Sequence, residues 1–375
     1  QEVIKKMFPN TYGMPVVEFV EGEERGTDPI NVGVILSGGQ APGGHNVITG
    51  LFDTIKKINP HSRLFGFLLG PGGLVDHKYI EITETYINDF RNTGGFDMIG
   101  SGRTKLEKED QFEKGYEILK YLNIKALVII GGDDSNTNAC VLAEYYKMKN
   151  YPVQVIGCPK TIDGDLKCEQ IEASFGFDTA TKVYSELIGN IERDCNSSRK
   201  YWHFVKLMGR SASHIALECA LQCHPNLCLI SEEVEAKDLS LNDIVEDICR
   251  MVKYRSDRGM NYGVVLIPEG LIEFIPAIGR LIDELNDLLA LHGKDYKDLS
   301  PMEQKQYILE HLSEENLKTF ETLPDDVARQ LSLDRDPHGN VQVSLIETER
   351  LLSRMVDAKL QAWKKEGKFN GSFNS

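Results

Sequence analysis

The sequence predicts an α/β protein with parallel sheets, covered on both faces by helices, in two or three domains. Three observations predict it. From residue 31 to about 270, short unbroken runs of Val, Ile and Leu alternate with helical-length stretches. Strands covered on both faces read in this continuous way, and strand–helix alternation reads as a parallel sheet. Glycine together with charged or hydroxyl residues follows five of these runs, whose starts carry nothing comparable. The 375 residues also match two or three domains at roughly 150 residues each.

In chain order, residues 1–30 are a charged arm ending in Thr27-Asp28-Pro29. The strand runs are 32–36, 64–69, 126–130, 153–156, 204–207, 227–230 and 264–267. The first leads into Ser37-Gly38-Gly39-Gln40-Ala41-Pro42-Gly43-Gly44, with a helix expected to begin near Gly44-His45-Asn46. The third leads into Gly131-Gly132-Asp133-Asp134-Ser135-Asn136, and the fourth into Pro159-Lys160-Thr161-Ile162-Asp163-Gly164-Asp165. Met208-Gly209-Arg210-Ser211 follows the fifth, and Pro268-Glu269-Gly270 the last. Open parallel sheets bind ligands at their carboxyl edge, so these segments are expected to converge on one site. Residues 275–330 hold little glycine and carry Ile278, Leu281, Ile282, Leu285, Leu288 and Leu289 at helical spacing, the pattern of a helical insertion. Residues 334–340 read as a turn, 341–366 as an amphipathic helix and 369–375 as a loop.

Composition excludes several classes. Hydrophobic residues at 41% and charged residues at 26% are ordinary for a globular chain. The net charge of −15 argues against nucleic-acid or anionic-membrane partners, so an anionic substrate needs local cations, backbone amides or a metal. No apolar run approaches the roughly 18–20 residues that span a bilayer, and no secretory h-region opens the chain. Eight cysteines without a CxxC pair suit reduced thiols in a cytoplasmic protein.

Each motif carries a chemical reading beside a structural one. Ser37–Asn46 brings backbone close to a ligand and opens a helix N-terminus, a natural anion site, or it is a glycine-rich turn. Asp133 and Asp134 either cap a helix or share a cation with phosphate. Carboxylate and phosphate repel by about 4 kcal/mol at 4 Å and an effective dielectric near 20, so Mg²⁺ would have to bridge them. In an extended segment, Asp163 and Asp165 share one face. One could then take a proton from a hydroxyl while Thr161 donates nearby and Lys160 supplies a point charge; the alternative is a solvated turn. Arg210 suits bidentate phosphate contact or a surface ion pair. The loop Gly100-Ser101-Gly102-Arg103-Thr104-Lys105 is a second basic segment. Glu269 could hold sugar hydroxyls or cap a helix, and His214 reads as a packed histidine. Cys219, Cys223, His224 and Cys228 lack structural zinc spacing and read as buried thiols.

Taken in order, GGQAPGGHN, GSGRTK, GGDDSNTNA, PKTIDGD, MGRSASH and IPEG closely resemble the phosphofructokinase family. Within it they resemble the diphosphate-dependent, long-chain branch that includes plant catalytic β subunits, from about residue 30 onward. The resemblance implies two lobes with Rossmann-like sheets: an arm at 1–30, a donor lobe at 31–200 and the start of a sugar-phosphate lobe at 201–274. A helical insertion at 275–330 and a return to the second lobe at 331–375 complete that expectation. It also implies Mg²⁺-dependent, reversible transfer from diphosphate to the 1-hydroxyl of fructose 6-phosphate, a glycolytic reaction.

Motif by motif, Asp163 would be the general base, with Asp165 beside it and Thr161 at the reacting phosphate. Asp133 would sit on Mg²⁺. Gly39, Arg103, Asp134 and Lys160 would line the donor. Met208, Gly209 and Arg210 would contact the sugar phosphate or the transferring charge, and Glu269 the sugar hydroxyls. ATP-using relatives carry glycine where this chain has Asp134, so that carboxylate would reject a nucleotide's α-phosphate by clash and charge. The alternatives are an ATP-dependent phosphofructokinase and a regulatory subunit of the same fold. A homodimer or larger assembly, with or without a second subunit type, is expected. The family continues with a Tyr-Glu-Gly-Arg type segment absent from these residues, so the second lobe is expected to be incomplete here and the chain alone inactive.

Overall fold

The runs at 32–36 and 126–130 lie side by side at the centre of a seven-stranded sheet in the computed structural model. It describes residues 2–15, 17–18, 20–22, 26–297, 299–333, 341 and 343–375. The chain forms two compact units, one of Gln1–Ile162 with Leu166–Asp178 and one of Asp163–Asp165 with Thr179–Ser375.

The first unit contains β1 (Asn31–Ser37), β2 (Arg63–Phe67), β3 (Tyr79–Ile82), β4 (Ser101–Gly102), β5 (Ile124–Gly131), β6 (Gln154–Thr161) and β7 (Phe175–Gly176). Their order is β3-β2-β1-β5-β6-β7, with β4 pairing the end of β1. Alternation along the central strands fills two cores. Val32, Val34 and Leu36 of β1 with Ala126, Val128 and Ile130 of β5 pack against Ile48, Phe52 and Ile55 of the helix Gly44–Ile58. Ile35, Leu127 and Ile129 point the other way, onto the helices Glu109–Tyr121 and Asp133–Met148. A strand buried on both faces must be apolar throughout, which is why these runs were legible.

The sheet is mixed, not wholly parallel as expected: β3 runs antiparallel to β2. A parallel return needs a crossover of a dozen or more residues. Here Leu69 and Gly70 take φ values of 60° and 85°, Leu68 N–H donates to Lys78 O at 2.9 Å, and only the five-residue helix Pro71–Val75 intervenes. The arm before β1 is tied down by Glu144, which accepts from Asn10 N–H at 2.9 Å and from Thr11 Oγ1 at 2.8 Å.

In the second unit, β8 (Trp202–Leu207), β9 (Leu227–Cys228) and β10 (Gly263–Pro268) form a parallel sheet in the order β8-β10-β9. One core joins it to the helices Leu241–Ser256 and Thr348–Lys365 and to the helical stretch after β10. That stretch comprises Pro276–Lys297, Pro301–His311, Glu314–Thr322 and Asp325–Leu333. Ile278, Leu281, Ile282 and Leu285 are buried and Leu288 packs against the same core; the Leu289 side chain and the turn expected at 334–340 lie outside the described residues. The last long helix begins at Thr348, after a 3₁₀ turn at Val343–Leu345, rather than at 341. Among the described residues no helix is long and apolar enough to cross a membrane.

Candidate functional site

Each unit brings its strand-end motifs to one sheet edge. In the first, β1, β5 and β6 end in register, with Leu36 opposite Ile130 and Gly131 opposite Pro159. Ser135 Oγ donates to Ser37 Oγ at 2.8 Å, tying the loop after β5 to the end of β1. Gly131 lets this happen, since a Cβ there would lie 2.4 Å from Ser135 Oγ.

Beyond this stitch two basic side chains approach the loop after β1. Gly38 has φ 85° and donates its N–H to Gly102 O at 3.0 Å; a Cβ on it would lie 3.6 Å from Lys160 Nζ. A Cβ on Gly39 would lie 3.8 Å from Arg103 Nη2. Lys160 is 8% exposed, with its ammonium 5.8 Å from the centroid of Phe96. Two cations therefore flank a stretch of backbone without side chains, the arrangement that suits an anion. Asp133 and Asp134 occupy the first turn of the helix Asp133–Met148, where the dipole favours carboxylates, and both are exposed. His45 is a packing residue. Its Nε2 accepts Met98 N–H at 2.9 Å and its Nδ1 shares 2.8 Å with Thr93 Oγ1. Burial lowers its pKa, against the pull of Asp97 3.2 Å away; a neutral ring accepting at Nε2 makes that contact no ion pair.

The segment after β6 departs from expectation. The strand stops at Thr161, whose carbonyl accepts from Ser174 Oγ at 3.0 Å, and 162–164 is a bend with Gly164 at φ 75°. Asp163 and Asp165 are half-buried in and just after this bend instead of sharing one face of a strand. Both belong to the second unit by contact.

The edge of the second unit is made by β8 and β10, with Leu207 opposite Pro268. Gly270 N–H donates to Gly209 O at 3.2 Å, and a Cβ on Gly270 would fall 1.9 Å from Arg210 O. Gly209 has φ 119°. This contact sets Met208 and Arg210, both exposed, beside the half-buried Glu269.

Two acids and a phenol share the field here. Burial raises the Glu273 pKa, and Glu269 adds to the rise while Arg210 opposes it. Burial also raises the Tyr184 pKa, with further push from Cys219, Asp163 and Glu269. Sequence reasoning missed Tyr184 and Glu273. Glu273 lies one turn beyond Glu269, a weak signal; Tyr184 had none.

His214 is exposed at the start of the helix His214–Cys223, not packed. Cys219 is buried, whereas Cys223 and Cys228 are half-buried and His224 is the left-handed residue closing that helix. Among the described residues no group of three His, Cys, Asp or Glu side chains could hold a metal.

Glycine-lined strand ends flanked by Lys160 and Arg103 on an α/β sheet suit a protein that handles phosphate. Residues 31–318 match the sequence profile described as Phosphofructokinase, and the chain belongs to that family. Within it, the chain is 65% identical to the pyrophosphate–fructose 6-phosphate 1-phosphotransferase of Porphyromonas gingivalis, over all of this chain and 68% of that one. It is 51% identical to subunit beta 1 of the Arabidopsis thaliana enzyme of that name, over 99% of this chain and 64% of that one. The chain spans about two thirds of the length of these curated relatives. The solved pyrophosphate-dependent phosphofructokinase of Nitrosospira multiformis shares the two-lobe fold, with TM-score 0.55 and 22% identity over 64% of this chain and 60% of that one.

Proposed function

We propose that the protein transfers a phosphoryl group reversibly from diphosphate to the 1-hydroxyl of fructose 6-phosphate, a glycolytic step. The observation that carries this reading is the 65% identity along the whole chain to a relative of that name. Lys160, Arg103 and the bare backbone at Gly38-Gly39 would hold diphosphate. Lacking an adenosine, such a donor must be gripped through its charges. Asp134 would exclude a nucleotide. On the acceptor side, Met208, Gly209 and Arg210 would contact the sugar phosphate, and Glu269 its hydroxyls. Asp163 would accept the proton of the 1-hydroxyl as it attacks, with Asp165 beside it and Thr161 donating to the transferring phosphoryl group.

Asp133 fits Mg²⁺ of the kind held by one or two carboxylates with phosphate oxygens and water, rather than by a protein cage. The ion would neutralise charge on the phosphates. We read the first sheet as Rossmann-like in using its carboxyl edge this way. The protein is proposed to be cytoplasmic and to work as a homodimer or larger assembly.

The test compares donors with fructose 6-phosphate as acceptor, in the full protein. Diphosphate is expected to support turnover and ATP to give none; robust ATP use without diphosphate use refutes the donor assignment. Asp163→Ser should lower turnover by about 10²- to 10⁴-fold, the usual worth of a general base. Near-normal turnover would remove Asp163 from that role.

A further inference from the structure

Among the described residues, eight that are not glycine take a left-handed backbone. Six of them are Asn, Asp or His, the types most often found there. Leu69, at φ 60°, is the one apolar member of the set. Its side chain is 66% exposed, so burial does not offset the strain of that conformation.

The reversal between β2 and β3 asks for the conformation, not for leucine. Glycine would supply it at no steric cost, as Gly70 does next door at φ 85°. What leucine adds is a side chain lying on the loop that follows Ile99. A Cβ on Gly100 would sit 2.8 Å from Leu69 Cδ2. The backbone makes the rest of the contact. Leu69 N–H donates to Ile99 O at 2.9 Å. A Cβ on Gly102 would fall 2.2 Å from Leu69 O, and one on Gly70 2.4 Å from Gly102 N. On its other side the same loop meets β1: Ser101 and Gly102 pair with Leu36 and Ser37, and Gly102 O accepts Gly38 N–H at 3.0 Å.

The next residue is Arg103, exposed, with Nη2 3.8 Å from where a Cβ on Gly39 would lie. Among the described residues no hydrogen bond or ion pair holds its guanidinium. Its aim is therefore set by the backbone of 99–102, which Leu69 braces on one side and β1 on the other. Strained backbone of this kind persists where its surroundings over-determine it, and such places cluster at ligand clamps.

We infer that Leu69 is a positioning residue for the phosphoryl donor. Its side chain presses the loop Ile99–Gly102 against the end of β1 and so aims Arg103 along the bare backbone at Gly38 and Gly39. A residue that only completed the turn would be glycine, and one that only filled the core would be buried. The inference rests on the reading of Arg103 as a donor-binding group.

Leu69→Gly in the full protein keeps the turn and removes the side chain. Its unfolding midpoint should stay at or above that of the parent, because glycine takes this φ without strain. Exchange of the Gly38 amide, which reports the bond to Gly102, should accelerate several-fold. The KM for diphosphate should rise about two- to tenfold, the cost of ordering one long side chain on binding, while the KM for fructose 6-phosphate holds. Leu69→Met, which lays an apolar chain of similar length on Gly100, should bring both readouts back to the parent. Arg103→Ala should raise the KM for diphosphate as well. A lowered midpoint with unchanged KM in Leu69→Gly makes Leu69 a folding residue and overturns the inference, as does unchanged Gly38 exchange or a Leu69→Met that behaves like Leu69→Gly. A parent-like Leu69→Gly beside an impaired Arg103→Ala overturns this inference alone. An unchanged KM for diphosphate in Arg103→Ala overturns the donor reading of that side chain and this inference with it.

Discussion

Replacing Gly270 by alanine tests the second edge where its geometry is tightest. The added methyl would sit 1.9 Å from Arg210 O and 2.8 Å from Arg210 C. Both are backbone atoms that cannot swing aside, and even a tight contact demands about 1 Å more. The 3₁₀ turn Glu269–Ile272 that carries Gly270 is held by its buried Leu271 and Ile272 and by β10 just before it, which β8 pairs up to Pro268. The displaced partner is therefore the turn Met208-Gly209-Arg210, with loss of the Gly270 to Gly209 hydrogen bond. Overpacking costs about 1–3 kcal/mol and the lost bond about 0.5–1.5, so unfolding free energy should fall by roughly 1.5–4.5 kcal/mol. A displacement of about 1 Å in a positioning element costs on the order of 10²-fold in rate. Denaturant unfolding and steady-state kinetics in both substrates measure this. kcat/KM for fructose 6-phosphate should fall about 10²-fold, while the KM for diphosphate stays near that of the parent. An unchanged unfolding midpoint with unchanged kcat/KM for the sugar phosphate would refute the claim that this close approach positions Arg210.

Asp134→Gly removes one carboxylate from the donor side. Diphosphate use should weaken and ATP turnover should become measurable; a variant with no gained ATP binding or turnover would remove the blocking role. Glu144 gives the arm its pH dependence. Burial pushes its pKa up, but the donors of Asn10 and Thr11 outweigh that and hold it below the ordinary 4.5. With the folded value depressed, the clamp is at full strength above 4.5 and is lost as pH falls through the lower folded value. Exchange of the Asn10 amide, corrected for intrinsic pH dependence, should accelerate below that window. Glu144→Gln should show faster exchange already at neutral pH, and equal protection in variant and parent would sink the assignment.

Much of the fold was legible because its demands are local. Strands β1, β5 and β10 must be apolar on both faces, and their ends must admit glycine where neighbouring backbones meet. The rest was set by distance. β4 and β7 are two residues each and exist only through pairing with β1 and β6. β3 depends on a left-handed Leu69 that no leucine advertises. The direction of the chain at Gly164 was open, since glycine takes either hand. Tyr184 and Glu273 owe their shifted titration chiefly to burial, which only the folded chain creates.

Most opaque of all was the division of labour among the glycines. Gly39 and Gly270 look alike as strand-end glycines, yet a Cβ meets backbone at 1.9 Å at Gly270 and only the end of a flexible Arg103 at 3.8 Å at Gly39. The first is required by packing. The second leaves room that the folded chain does not use, as the proposed approach of diphosphate to this backbone requires. Gly39→Ala should therefore keep its unfolding free energy within about 0.5 kcal/mol of the parent, as substitutions away from packing do. Diphosphate affinity should fall, and the KM for fructose 6-phosphate should hold. If unfolding shifts by as much as in Gly270→Ala, or diphosphate binds unchanged, then Gly39 is a folding residue and the anion does not approach the backbone there.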